Sequence, residues 1–303
     1  MEDISNRFCD ITGEANVKEH EPMRMHTTFR AGGPARYYIC PHSALEISQI
    51  LQVCQEYKLP WFILGRGSDL LVSDQGYNGV IIQMYRNFDD IKIKNNQIRA
   101  QSGALLSRIA GEAQKASLGG FEFASGIPGT LGGAVMMNAG AYGGGMKQVL
   151  AGATVMDGTG NITSLTAEEL HLGYRTSVIK EMNYIVLEAA LNLQAKDKDE
   201  IRILMEDLQR RRAARQPLEY PSAGSTFKRP KGYFAGKLIM DSGLCGYCVG
   251  GACVSEKHCG FVINKDHANA SEIYQLISDV RRIVHEKSGV LLEPEVKLLG
   301  KFD

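Results

Sequence analysis

Between Ser125 and Gly145 the chain reads SGIPGTLGGAVMMNAGAYGGG, with glycine at 126, 129, 132, 133, 140, 143, 144 and 145. Glycine suits backbone at positive φ and main chain that a neighbour must touch closely. The residues between these glycines are Ile127, Leu131, Val135, Met136 and Met137. They demand burial and are unlike the Ser-rich filler of a flexible linker. Ordering so much glycine is costly in entropy unless something fills the loop. The segment therefore reads as a buried glycine-rich loop with a large flat or phosphorylated ligand against its backbone.

The rest of the chain bounds the answer. A length of 303 residues suits two or three domains. Formal net charge is zero, which gives no electrostatic case for nucleic acid or an anionic membrane surface. The start, MEDISNRFCD, is acidic and polar, unlike a signal peptide, and no apolar run approaches the ~20 residues of a spanning helix. A cytoplasmic protein is expected. The seven cysteines are odd in number and three are scattered, which argues against a disulfide framework. Cys245, Cys248, Cys253 and Cys259 form C-x2-C-x4-C-x5-C. That spacing offers a zinc reading, but small buried hydrophobes in a glycine-rich strand region are preferred, and no metal is expected.

Periodicity supplies the elements. Ser43–Tyr57 reads as a helix with Ser43 and Glu46 as a capping box. Trp61–Leu64 is a short strand running into GRGSDLLV (Gly65–Val72). No long helix follows at once, so a Rossmann fingerprint fails on context. Asn95-Asn96 turns a hairpin between Ile91 and Ala100, and Leu105–Leu118 looks helical. Strands are expected at Ala153–Met156, Ile162–Leu165 and Tyr184–Leu193, and a charged helix at Lys198–Arg215. Its run Arg210, Arg211, Arg212 and Arg215 reads as a solvated helix face plus a structural contact rather than a nucleic-acid patch. Strands are expected at Gly246–Val254 and Gly260–Asn264. A helix from Asn269 stops at Gly289, and Val290–Leu299 reads as a final strand. The class is α+β.

Two glycine-rich turns suit a diphosphate-bearing cofactor, because backbone amides form anion-binding nests and Ser68 and Thr130 add hydroxyls. The hydrophobic filler suits a planar ring, and a flavin dinucleotide meets both demands. Two unrelated structural turns are the alternative. Arg175 in Tyr174-Arg175-Thr176-Ser177, Ser225 in SAGSTF and Glu295 in LEPEV stand out as polar groups. On spacing alone they also read as a salt-bridge partner, a cap and a rim charge.

Taken together, HTTFRAGGPA (His26–Ala35), GRGSDLLV, GIPGTLGGAVMMNAGAYGG, YRTS, QPLEYPSAGSTFK, GLCGYCVGGACVSEKH and LEPEV resemble, in order, the motifs of the UDP-N-acetylenolpyruvoylglucosamine reductase family. The likeness covers nearly the whole length. It implies a vanillyl-alcohol-oxidase/PCMH-type FAD domain of two α/β subdomains and a C-terminal α+β substrate domain. The expected boundaries are 1–29 for an N-terminal segment, 30–196 for the FAD domain, split near 84, and 197–303 for the substrate domain. It also implies non-covalent FAD, NADPH as hydride donor and UDP-N-acetylglucosamine enolpyruvate as substrate, in a monomer making a peptidoglycan precursor. Hydride passes from flavin N5 to C3, and C2 then takes a proton. Carried over position by position, Ser225 is the proton donor, while Arg175 and a protonated Glu295 stabilise the enolate. Glu293 is structural. FAD contacts fall on Gly65, Arg66, Gly67, Ser68 and Asp69, and on Gly126, Ile127, Pro128, Gly129, Thr130, Gly132, Gly133, Asn138, Ala139 and Gly140. Tyr174, Lys228 and Arg229 face substrate.

Three residues depart from the family's pattern. Asp69 replaces an asparagine, Arg229 an amide, and Cys245 a lysine. The interval from Arg175 to Ser225 is short and resembles the branch without a tyrosine-bearing insertion. Competing readings are a flavin oxidase of small alcohols or sugars, and a non-enzymatic sugar-nucleotide or metal module.

Overall fold

The structure, a computed structural model, describes residues 4–302. The chain forms two compact units. The first takes the residues up to Glu19, Tyr37–Arg66 and Gly79–Arg212; the second takes His20–Arg36, Gly67–Asn78 and the residues from Ala213.

The first unit holds two apolar cores. One lies around the helix Ala44–Glu56, whose Ile47, Ile50, Leu51 and Cys54 are buried at the spacing the sequence displays. Burial also pushes the Cys54 thiol up to about 12, as desolvation of a thiolate requires. Ser43 caps the helix by accepting the Glu46 amide at 3.2 Å. The Glu46 carboxylate accepts from the His42 amide rather than completing the box at Ser43. Trp61–Leu64 pairs in parallel with Tyr77–Gln83. The second core is closed by an antiparallel sheet in the order Ile162–Thr166, Leu150–Met156, Ile185–Asn192, Gln97–Gln101, Ile91–Lys94. Asn95, at φ 53°, supplies the left-handed turn of the expected hairpin. Helices Leu106–Lys115 and Leu131–Met136 add buried side chains to this core.

In the second unit, Ala270–Ser288 buries Ile273, Leu276, Ile277, Val280 and Val284 in a core shared with the sheet Cys248–Val249, Ala252–Val254, Val262–Asn264. Both helix ends are as the sequence reading has them. Asn269 and Glu272 form a reciprocal capping box, and Gly289 stops the helix at φ 71°. Asp74 adds a second cap, accepting the amides of Ala270 and Ser271 at 2.8 Å each.

Three expectations need correction. Gly246–Val254 is a hairpin rather than one strand, because Gly250 turns the chain at φ 54°. Of Val290–Leu299 only Lys297–Leu299 is strand, paired in parallel with Leu70–Val72. Pro294 lacks the amide a ladder needs and makes a single bridge to Phe227 instead. Cysteine pairing also departs from the sequence reading. Cys248 and Cys253 stand directly opposite each other in the hairpin and are disulfide-bonded. Cys259 is buried as foreseen, whereas Cys245 is exposed.

Asn269→Ala should lower the unfolding free energy by about 1 kcal/mol, the usual worth of such a cap. A urea titration should show a lower midpoint at unchanged slope.

Candidate active site

Gly65 follows the strand Trp61–Leu64, whose last carbonyl accepts the Met84 amide at 2.9 Å. A Cβ on Gly65 would lie 2.3 Å from Thr130 Oγ1, so the two glycine-rich segments meet here inside the first unit. Gly67 has a different constraint. It sits at φ 65°, and a Cβ there would lie 2.1 Å from the His26 carbonyl. The Gly67 carbonyl also accepts the Thr28 amide at 3.0 Å. The HTTF motif is thus the seat of the first loop. His26 is itself tied to Glu21 at 2.8 Å, and the Thr27 hydroxyl donates to the Ala31 carbonyl at 3.0 Å. The Asp69 carbonyl accepts the Lys297 amide at 3.1 Å.

The second segment uses its glycines in two ways. Gly132 packs on Ser102, where a Cβ would fall at 2.8 Å, and Gly144 packs on Phe123, where a Cβ would fall 2.6 Å from the side chain. In a small hairpin, a Cβ on Gly140 would lie 2.6 Å from the Gly144 carbonyl oxygen. These serve the protein's own packing. Gly133, by contrast, is exposed, and a Cβ on it would meet nothing nearer than Thr130 Oγ1 at 4.0 Å. Bare main chain there faces open space. Leu131 and Val135 are buried as foreseen, while Ile127, Met136 and Met137 are only partly so. Gly126, Pro128 and Gly129 are half-buried on the same loop, and Ala139 lies in the core.

Arg212 lies beside Gly126, its Cδ 3.3 Å from where a Cβ would stand. Burial holds its guanidinium below the usual arginine range, with Tyr142 opposing the shift. The sequence reading gave this run a solvated helix face plus a structural contact, and Arg212 is the member that makes contact. Its neighbours Arg210 and Arg211 are exposed, so the turn of the helix separates it from them.

Arg175 sits in a tight turn in which the Gly173 amide donates to the Thr176 carbonyl at 3.1 Å. It occupies left-handed backbone at φ 55°, uncommon for a long side chain. Its guanidinium lies 5.3 Å from the centroid of the exposed Tyr174 ring.

In the second unit, Ser225 is exposed at the end of a turn that Gly224 makes at φ 75°. The next residue, Thr226, is fully buried and engaged at every polar atom. Its amide donates to the Gly260 carbonyl at 2.9 Å, and its carbonyl accepts the Glu295 amide at 2.8 Å. Its hydroxyl accepts the Val262 amide at 2.9 Å. Ser225 and Glu295 are thereby brought onto adjacent backbone. Sequence reasoning missed Thr226; the signal was a β-branched residue in a run of small ones. Lys228 is held by Glu293, through its side chain and through its amide at 2.9 Å. Arg229 lies 3.9 Å from the Phe234 ring centroid and donates to the Tyr233 carbonyl at 3.3 Å.

Residues 35–166 match the family described as "FAD binding domain", and 216–299 match "UDP-N-acetylenolpyruvoylglucosamine reductase, C-terminal domain". The chain is 49% identical over 300 residues to the UDP-N-acetylenolpyruvoylglucosamine reductase of Clostridioides difficile strain 630, covering 99% of each. It is 50% identical to the Agathobacter rectalis reductase, over 95% of this chain and 96% of that one. The crystal structure of the Thermus caldophilus reductase superposes with a TM-score of 0.80 at 33% identity, over 94% of this chain and 98% of that one. The chain belongs to the UDP-N-acetylenolpyruvoylglucosamine reductase family. It is an FAD-dependent oxidoreductase, built as a PCMH-type FAD domain with the family's C-terminal domain. The reductase's glycine-rich loops fit that cofactor on their own chemistry: bare backbone at Gly133 faces open space beside a threonine hydroxyl. Among the described residues no group of three or more His, Cys, Asp or Glu is placed to hold a metal.

Gly65→Ala should lower the flavin content of the purified protein, and Thr130→Ala in the same chain should restore much of it by removing the obstructing hydroxyl. Gly67→Ala meets backbone and should find no such rescue. A pH effect follows from His258, whose Nδ1 accepts the Gly260 amide at 3.1 Å. Burial holds its imidazole below the ordinary histidine value. This contribution to stability is full above the unfolded pKa of about 6.5 and is lost as pH falls through the lower folded value. The stability difference between wild type and His258→Asn should shrink as pH drops through that range in chemical denaturation.

Proposed function

We propose that this reductase converts UDP-N-acetylglucosamine enolpyruvate to UDP-N-acetylmuramate with Arg175, Ser225 and Glu295 as its catalytic residues. Family membership supports the reaction, and the Thr226 ladder carries the residue assignment in the second unit. FAD, when bound, supplies a hydride taken from NADPH and delivered to C3 of the enolpyruvyl group.

The chain's own residues handle the charge and the proton. Hydride arrival at C3 leaves negative charge on C2 and the carboxylate. Arg175 supplies a permanent cation whose forked donors match a carboxylate. Glu295, as the acid, donates a hydrogen bond to the developing enolate. Fixed donors of this kind contribute about 3–4 kcal/mol each in a dry site. Ser225 then gives its hydroxyl proton to C2. Serine is a weak acid, but an enolate-like carbon is a strong base, and a positioned donor needs only a short transfer. Gly65–Asp69 and the second glycine segment hold FAD. Tyr174, Lys228 and Arg229 face substrate, with Glu293 orienting Lys228.

We read the chain as the shorter branch of the family. Between Arg175 and Ser225 the described elements are Val178–Glu181, Ile185–Asn192, Gln194–Ala195 and Lys198–Arg215. They leave little chain for an inserted, tyrosine-bearing flap. The division at about 196, a monomeric state and a cytoplasmic setting belong to the same proposal. Among the described residues no helix is long and apolar enough to cross a membrane.

Ser225→Ala should leave bleaching of the yellow protein by NADPH within about 2-fold of wild type. It should slow recovery of colour with the enolpyruvyl sugar nucleotide by about 10²–10⁴-fold, the usual reach of a positioned acid. Lost bleaching with intact recovery would reverse the role given to Ser225.

A further inference from the structure

The turn that carries Arg175 is fastened to the second glycine-rich segment at two points, both inside the first unit. Asn138 Nδ2 donates to the Gly173 carbonyl at 2.8 Å, while its Oδ1 accepts the Lys147 amide at 3.0 Å. Both ends of the carboxamide are therefore engaged within the protein. Ser177, fully buried, donates its hydroxyl to the Met136 carbonyl at 2.6 Å.

Each residue stands where local structure alone would use it differently. Ser177 is the N-cap of Val178–Glu181, yet its side chain makes no cap bond. An N-cap serine normally bonds its own helix. Here the hydroxyl reaches forty-one residues back instead. Asn138 follows Leu131–Met136 and holds left-handed backbone at φ 46°, a place where asparagine is tolerated without any further contact. Its carboxamide nevertheless bridges two segments. Between the two fastenings lies Arg175, itself at φ 55°. A bulky residue in that region persists only where its surroundings over-determine it.

We propose that Asn138 and Ser177 are positioning residues, a two-point clamp that fixes the Arg175 guanidinium relative to the glycine-rich segment for hydride delivery. The side chain of Asn138 then serves the turn and not FAD directly. This rests on the role given to Arg175 above. A misplacement of about 1 Å at a reacting centre costs as much as about 10²-fold.

The test uses FAD-loaded Ser177→Ala and Asn138→Gly, the glycine keeping the left-handed backbone while removing the carboxamide. Ser177→Ala should retain its flavin and its rate of bleaching by NADPH within about 2-fold, yet lose about 10–100-fold in recovery with the enolpyruvyl sugar nucleotide, and Asn138→Gly should show the same loss of recovery relative to its own bleaching rate. Amides 173–176 should exchange hydrogen faster in both variants, and Ser177→Thr should rescue both readouts. In an Arg175→Ala background the Ser177→Ala penalty should vanish. Parallel loss of bleaching and recovery, or a penalty undiminished without Arg175, would overturn the clamp. Full recovery in Arg175→Ala alone would instead sink the catalytic role of Arg175, with the exchange rates still reporting whether the turn is fastened.

Discussion

Close approach of glycine main chain to neighbouring side chains and carbonyls, permitted only by missing Cβ atoms, is the constraint on which the glycine-rich loops depend. Gly65 against Thr130, Gly67 against His26 and Gly132 against Ser102 all come nearer than a side chain tolerates. Each contact fixes a loop whose function requires bare backbone to remain reachable. Contacts made by the packed glycines offset part of the entropy that glycine loses on folding.

That packing alters the meaning of the glycine run. Its density first suggested main chain laid against a ligand. Gly132, Gly140 and Gly144 answer instead to the protein's own side chains and carbonyls, whereas Gly133 and Gly143 present open backbone. A ligand site of this kind needs few exposed glycines and several buried ones that hold them in place. The same logic reaches the neighbouring turn, where the Ser177 hydroxyl and the Asn138 carboxamide join segments far apart in sequence.

Elements with local causes were legible. Helix 270–288 begins and ends on its own capping chemistry, and the hairpin at Asn95 needs only a residue that accepts left-handed backbone. Motif order likewise pointed to the family. What escaped were long-range effects. Pro294 broke the last strand for want of a ladder amide, and its bridge partner, Phe227, lies far away in sequence. Cys248 and Cys253 became a pair only once Gly250 folded one strand into two. A structural contact was expected of the arginine run, but that Arg212 makes it, beside Gly126, depends on a segment far away in sequence.

By itself, then, the sequence determined the α+β class, the two glycine-rich loops, the helix limits and the family, since these rest on local periodicity, capping and ordered motifs. Tertiary structure alone decided why each glycine is needed, how Thr226 places Ser225 beside Glu295, and what fastens the Arg175 turn. Those outcomes depend on hydrogen bonds and contacts between residues distant along the chain, and no local pattern encodes a partner's position.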